Sequence, residues 1–167
     1  MNQGYTSAAT SINRDRLPAV YSKAVFTAGV VLDYGCGKYT DHIREYLRTE
    51  HGSVLLPYDP YNQPDDVNQN TMKYIRRAIS ERVPVDIVCS NVLNVIDDDG
   101  TVLFIADQIE ELVHRTGGTA YITVYEGDKT GNGRQTGPDQ YQRNQPLREY
   151  LKYFRRGTVR KGMIVIG

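Results

Sequence analysis

The 167-residue chain contains only two cysteines. That count excludes a disulfide-built scaffold and a four-cysteine zinc site. No apolar run approaches the ~20 residues that cross a bilayer. Apolar runs such as Gly29-Val30-Val31-Leu32 are far shorter. No N-terminal stretch joins a basic region to an apolar core of roughly 7–15 residues, so no secretory leader is expected. Net charge is also missing: 20 Lys and Arg balance 20 Asp and Glu. This balance argues against a surface wholly devoted to phosphate binding, though a local patch is compatible with it. His42, His51 and His114 share no metal-ligand spacing, and no metal site is expected. Internal repeats and low-complexity tracts are absent. The remainder, 40% hydrophobic and 24% charged, is ordinary globular composition. The expectation is one cytoplasmic domain over 1–167 with no membrane association.

Residues 1–28 read as a polar N-terminal arm. Ser11, Asn13 and Asp15 are candidate caps of a short helix. Pro18 fits its first turn, with Val20, Val25 and Phe26 inward. Val30-Val31-Leu32-Asp33 is a short buried-strand pattern ended by Gly35. Thr40 to Glu50 predicts a helix, with Ile43, Tyr46 and Leu47 on one face and Gly52 as its stop. Val54-Leu55-Leu56 is a second strand, closed by Pro57 and Pro60. A helix follows over about 68–82, then a strand at 85–89. The next helix is capped by Asp97 or Asp98 and runs to about His114. Residues 119–125 alternate β-branched and aromatic side chains, a strand signature. Residues 126–146 read as a long loop. Asn144 looks like the cap of a short helix carrying Leu147, Tyr150, Leu151 and Phe154. Residues 162–166 form a last strand. Strands alternating with helices predict an α/β fold: a Rossmann-like open, mostly parallel sheet with helices on both faces.

In such sheets ligands bind beyond the carboxyl ends of the strands, where the strand order reverses. The first strand runs into Asp33-Tyr34-Gly35-Cys36-Gly37-Lys38-Tyr39. Glycines at 35 and 37 permit a tight turn and close approach of a ligand to the backbone. The motif follows a strand and opens a helix, as a nucleotide-binding turn must. Asp59 closes the second strand, where a carboxylate can accept hydrogen bonds from a ribose diol. Asp33 separates two cofactor classes. A pyrophosphate a few ångströms from it is repelled by about 1–4 kcal/mol at effective dielectrics of roughly 80 to 20. S-adenosylmethionine instead brings an ammonium and a sulfonium, which suit a carboxylate. The third glycine of the dinucleotide pattern is also missing, with Thr40 in its place.

Val31-Leu32-Asp33-Tyr34-Gly35-Cys36-Gly37 resembles the first motif of class I S-adenosylmethionine-dependent methyltransferases. Asp59 resembles their acidic residue after the second strand. Residues 86–94 resemble their fourth-strand motif, which faces the transferred methyl group. Gly117-Gly118-Thr119 resembles the turn into their fifth strand. The likeness covers about 29–125. It implies S-adenosyl-L-methionine as cofactor, held by Asp33, Gly35, Cys36, Gly37, Asp59, Pro60 and Ser90. Ser90, Asn91 and Asn94 are then the candidate catalytic residues beside the methyl group. A narrower resemblance, in Tyr58-Asp59-Pro60-Tyr61 and Asn91-Val92-Leu93-Asn94, is to methyltransferase-like proteins of phages and bacterial DNA-modification clusters. The expected partner is a methyl acceptor, either a small molecule or a nucleic acid.

The chain departs from the family in three places. Tyr39 replaces the third glycine of its loop. Only about 25 residues separate Asp59 from Val85, so the usual third strand should be short or absent. The fourth-strand motif lacks the Pro-Pro-aromatic signature of amino-methylating DNA enzymes and the Pro-Cys of cytosine-C5 enzymes. A subunit or sensor that binds the cofactor without catalysis is therefore the alternative. Plainer readings also stand: Asp33 as a strand end, Asp59 as a turn residue, Ser90 and Asn91 as strand caps. Cys36 and Cys89 are either reduced small residues or a redox pair. The 126–146 loop should overhang the site, with Lys129, Arg134 and Arg143 lending positive charge and Tyr141 free to stack on a planar acceptor; a mobile, solvated loop is the alternative reading. The basic segment 155–161 reads as a solvated turn, with a phosphate contact as the alternative.

Overall fold

A computed structural model describes residues 4–7 and 14–167. Ser11 and Asn13, expected as caps, lie outside the described residues. In chain order the main elements are α1 (Ala19–Lys23), β1 (Val30–Tyr34), α2 (Asp41–His51), β2 (Val54–Tyr58) and α3 (Asp65–Glu81). They continue as β3 (Asp86–Ser90), α4 (Asp99–Thr116), β4 (Ala120–Thr123), β5 (Arg134–Gly137), β6 (Gln140–Gln142), β7 (Thr158–Arg160) and β8 (Met163–Ile166). Two 3-10 segments, Leu93–Val95 and Leu147–Tyr153, complete the list.

Six strands form one sheet in the order β2-β1-β3-β4-β8-β7. The first four are mutually parallel, as the strand–helix alternation predicts. β8 and β7 add an antiparallel hairpin beyond β4. All five β1 residues are buried, which explains their continuous apolar run around one aspartate. Each face carries its own core. Leu32, Ile87, Ile109 and Tyr150 belong to the face covered by α3, α4 and the second 3-10 segment. Val31, Val88, Ile43, Leu47 and Tyr21 belong to the face covered by α1 and α2. No third strand stands between β2 and α3 among the described residues, so β2 is a sheet edge. That edge explains one departure from expectation: β2 runs through Pro57 instead of stopping there. An edge strand tolerates a residue with no N–H on its unpaired side.

Other boundaries moved for local reasons. α1 begins after Pro18, which is its N-cap in place of Asp15. Val25 is 62% exposed rather than inward. Asp98, not Asp97, caps α4 by accepting the Thr101 N–H at 2.6 Å, worth about 1 kcal/mol. Asn144 does not cap the 147–153 segment; Pro146 is its N-cap. Asn144 is buried and donates to the Asn132 carbonyl at 2.9 Å. The segment expected to be a solvated turn contains β7, an edge strand paired with β8. Among the described residues no helix is long and apolar enough to cross a membrane.

Candidate functional site

A cavity of about 610 Å3 opens beyond the carboxyl ends of β1, β2, β3 and β4. From β1 the chain winds outward to β2, then crosses back to β3 on the other side. The cavity sits at this reversal, as the open-sheet rule requires. Gly35, Cys36 and Gly37 line it from the loop after β1, and Asp59 and Pro60 from the turn after β2. Ser90, Asn91 and Asn94 line it from the segment after β3. Eight of the nine residues expected at the site therefore share one cavity.

Asp33 is the exception and does not line it. Side chains alternate along β1. Leu32 and Tyr34 enter the α3/α4 core, while Val31 enters the opposite core, and Asp33 follows Val31. Asp33 is 4% exposed. Burial raises its pKa to about 7; the Tyr21 hydroxyl opposes this in part, and the charge of Asp59 adds to it. The raised pKa lowers its share of charge near neutral pH, so the expected repulsion of a pyrophosphate by Asp33 is weakened.

The loop after β1 is fixed by its own amides. Gly35 and Cys36 donate to the Tyr58 carbonyl at 2.7 and 3.2 Å. Gly37 donates to Asp59 Oδ2 at 3.0 Å. Gly35 adopts φ +80°, and a Cβ there would lie 2.4 Å from Val92 Cγ2. Glycine at 35 thus lets the β1 loop touch the β3 loop. Gly37, at φ +71°, faces open space. Cys36 and Cys89 are both free thiols. Burial, then Asp33, pushes both thiols well above their usual range, so neither is an activated nucleophile.

Asp59 behaves differently from its sequence reading. Its Oδ1 accepts from the amides of Tyr61 at 2.9 Å and Asn62 at 3.0 Å. The Asn62 side chain donates to both carboxylate oxygens at 3.2 Å. With Gly37 included, five hydrogen bonds compete for about four lone-pair sites. Asp59 is the staple between the β1 loop and the β2 turn, and it has no free site for a ribose. Ser90 accepts from Thr123 Oγ1 at 3.0 Å. Asn91 stands at φ +58°.

Sequence reasoning missed several lining residues: Thr6, Ser7, Arg16, Asn62, Tyr61 and Tyr125. The Asp-Pro-Tyr-Asn string could have revealed Asn62, since aspartate commonly accepts the next amides in an Asx turn. Nothing in the sequence singles out Thr6 and Ser7. They form a strap across the cavity wall. Thr6 donates to the Asp139 carboxylate through both its amide, at 2.8 Å, and its hydroxyl. Asn62 Nδ2 approaches the Thr6 carbonyl at 3.4 Å.

The 126–146 segment is a hairpin with a buried root rather than a loop. Gln142, Arg143 and Asn144 are all buried. Arg143 donates to the Ile96 carbonyl and, at 2.6 Å, to Asp99. Its charge therefore serves the fold and not an acceptor. Lys129 pairs with Glu126 at 2.8 Å. Tyr141, expected to be free, stacks on Tyr5 at 5.6 Å between ring centroids. No cluster of His, Cys, Asp or Glu suited to a metal occurs among the described residues. No family model, curated protein or solved structure matches this chain.

Proposed function

We propose that the cavity binds S-adenosylmethionine and that the chain transfers its methyl group to an acceptor entering beside β3. The observation that carries this reading is the hydrogen-bonding state of the wall. The amides of Gly35, Cys36 and Gly37 are all donated inward. A dinucleotide needs such amides free, as a cradle for its pyrophosphate. Among the residues that line the cavity, the buried side-chain atoms left without partners are instead Asn62 Oδ1 and Asn94 Oδ1, both acceptors, and the Ser7 hydroxyl. Asn62 Nδ2 faces the Asp59 carboxylate and the Thr6 carbonyl, two acceptors, so the amide cannot turn over. Its Oδ1 is fixed as an acceptor, and a ribose diol brings O–H donors of the matching kind. Asn62 would hold the ribose, with Asp59 holding Asn62. Arg16 and Lys38 line the cavity with no ion-pair partner among the described residues. They would take the carboxylate of the methionine portion.

S-adenosylmethionine supplies a methyl group already activated on a positive sulfur, with its own leaving group. The protein's part is alignment. The Gly35–Val92 contact sets the β1 loop against the segment carrying Asn91 and Asn94. Thr6 and Ser7 line the same cavity. Asp59 is saturated and no histidine lines the cavity. The chemistry therefore suits an acceptor whose lone pair is available without prior deprotonation. A second reading, a subunit that holds the donor without transferring it, draws on one observation. Thr6, a lining residue, is tied twice to the Asp139 carboxylate, which holds the 4–7 segment against the cavity.

Calorimetric titration with S-adenosylhomocysteine and with NADH tests the binding claim. The expected result is binding of the first alone, weakened about tenfold or more by Asn62→Leu. Binding of NADH alone overturns it. Methyl transfer by the isolated chain then separates the enzyme from the binding subunit.

A further inference from the structure

We infer that the methyl acceptor is an aromatic carboxylate and that the chain makes its methyl ester. This inference rests on reading the cavity as a site for S-adenosylmethionine and names the acceptor such a site selects. The first observation is charge. Of the residues lining the cavity, only Arg16, Lys38 and Asp59 are charged. Asp59 already takes hydrogen bonds from Gly37, Tyr61 and Asn62. Arg16 and Lys38 have no carboxylate partner among the described residues. The wall therefore carries one positive charge in excess. The donor adds another, because its ammonium and sulfonium outweigh its single carboxylate. An anionic acceptor balances the loaded cavity, and an ammonium is repelled. Arg14 adds a further cation beside the wall, its guanidinium 5.6 Å from the centroid of the lining Tyr39 ring.

The second observation is the lack of a base in the lining. An alkyl amine or a phenol, with an ordinary pKa of about 10, is protonated at neutral pH and needs a base before it can attack. A carboxylic acid, with an ordinary pKa of about 4, arrives ionised. Its oxygen attacks the methyl carbon, a C–O bond forms, and the C–S bond breaks with its electron pair going to sulfur. The products are a neutral ester and S-adenosylhomocysteine, and no proton moves. Methylating a neutral ring nitrogen would instead carry the donor's positive charge onto the acceptor, beside Arg16 and Lys38. Val92, Val95 and Ile105 make part of the wall apolar. Charged reactants are poorly solvated there and neutral products are not. The third observation is aromatic. Tyr125, in the segment after β4, lines the cavity and is 64% exposed. Its carbonyl accepts from Gln142 Nε2 at 2.8 Å, which ties its main chain to the hairpin root. It offers a ring on the β3–β4 side, where the acceptor enters, and a planar acid stacks on such a ring.

Benzoate, benzamide and benzylamine share a ring and differ in charge, and acetate keeps the charge without the ring. Each is titrated by NMR into the full chain saturated with S-adenosylhomocysteine. Benzoate should bind about tenfold or more tightly than each of the others, and its lead over benzamide should shrink as salt is raised. Arg16→Gln should weaken benzoate and leave benzamide unchanged. Tyr125→Ala should narrow the gap between benzoate and acetate. With S-adenosylmethionine as donor, mass spectrometry should find methyl benzoate above the level formed without protein. The inference is overturned by equal binding of benzoate and benzamide, or of benzoate and acetate. Tighter binding of benzylamine or of thymidine monophosphate, or absence of the ester, also overturns it. If S-adenosylhomocysteine binds and benzoate shows no preference, this inference fails and the donor assignment stands. If S-adenosylhomocysteine does not bind the unmodified chain, both fail.

Discussion

Replacing Gly35 with alanine should cost more stability than any other single methyl addition at the cavity. Two separate penalties meet there. The residue sits at φ +80°, where an L side chain costs about 1–2 kcal/mol. The new Cβ also lands 2.4 Å from Val92 Cγ2, inside any tolerable carbon–carbon distance. Overpacking of this kind costs about 1–3 kcal/mol. The sum, about 2–5 kcal/mol, corresponds to a fall in Tm of roughly 4–20 °C for a chain of this size. Gly37 provides the control. It shares the backbone penalty at φ +71° but has nothing within 4 Å. Gly37→Ala should lose only about 1–2 kcal/mol. Val92→Ala in the Gly35→Ala background should restore the packing part alone, seen as a favourable coupling of about 1–3 kcal/mol in a double-mutant cycle. Urea unfolding followed by circular dichroism measures all four proteins. The reasoning is refuted if Gly35→Ala matches Gly37→Ala, or if Val92→Ala restores nothing.

Asp33→Asn should stabilise the protein at pH 8. The folded-state pKa of about 7 exceeds the unfolded value of 3.8. The group's contribution is therefore fully present below pH 3.8 and is lost as pH rises through 7, at no more than about 1.4 kcal/mol per pH unit. Denaturation at a series of pH values should show the wild-type slope flattened in the variant, and an unchanged slope contradicts the assignment. Asp59→Ala strips partners from the Gly37, Tyr61 and Asn62 amides. It should cost about 1–3 kcal/mol and weaken S-adenosylhomocysteine through loss of the Asn62 geometry. Asp59→Asn should fall between, as measured by thermal melts and calorimetry. Asp99→Ala leaves the Arg143 guanidinium without its carboxylate and Tyr153 without its acceptor. Because Asp99 itself is largely exposed, the loss should be about 1–2 kcal/mol. Tyr153 and Arg143 hold the Asp99 carboxyl below its usual range. This part of the stability should therefore be present at neutral pH and fade as pH falls through that lowered value.

The parallel half of the sheet was readable in the sequence because its central strands, β1 and β3, are buried along nearly their whole length. Val30-Val31-Leu32 and Val85-Asp86-Ile87-Val88-Cys89 stand out as short apolar runs between helical patterns. The antiparallel additions were less visible. β5 and β6 carry Arg, Gln, Thr, Tyr and Gly with no apolar face, so no alternation marks them. They exist through mutual backbone pairing and through the burial of Gln142 and Arg143 at their root. β7 is three residues long and gains meaning only beside β8. At the site, the turn glycines were readable because conformational need selects them. The roles of the two aspartates were not. The charge of Asp33 is plain in the sequence, but its direction depends on which core Val31 faces. The position of Asp59 is plain as well, yet its saturation depends on Asn62 and Gly37 arriving from two different loops.

A crystal structure of the chain soaked with S-adenosylhomocysteine tests the central claim most directly. The account predicts a nucleoside between the β1 loop and the β2 turn, a ribose hydroxyl on Asn62 Oδ1, and the sulfur facing Asn94. A cavity that stays free of the compound under saturating conditions, or one that takes a pyrophosphate against the β1 loop instead, contradicts it.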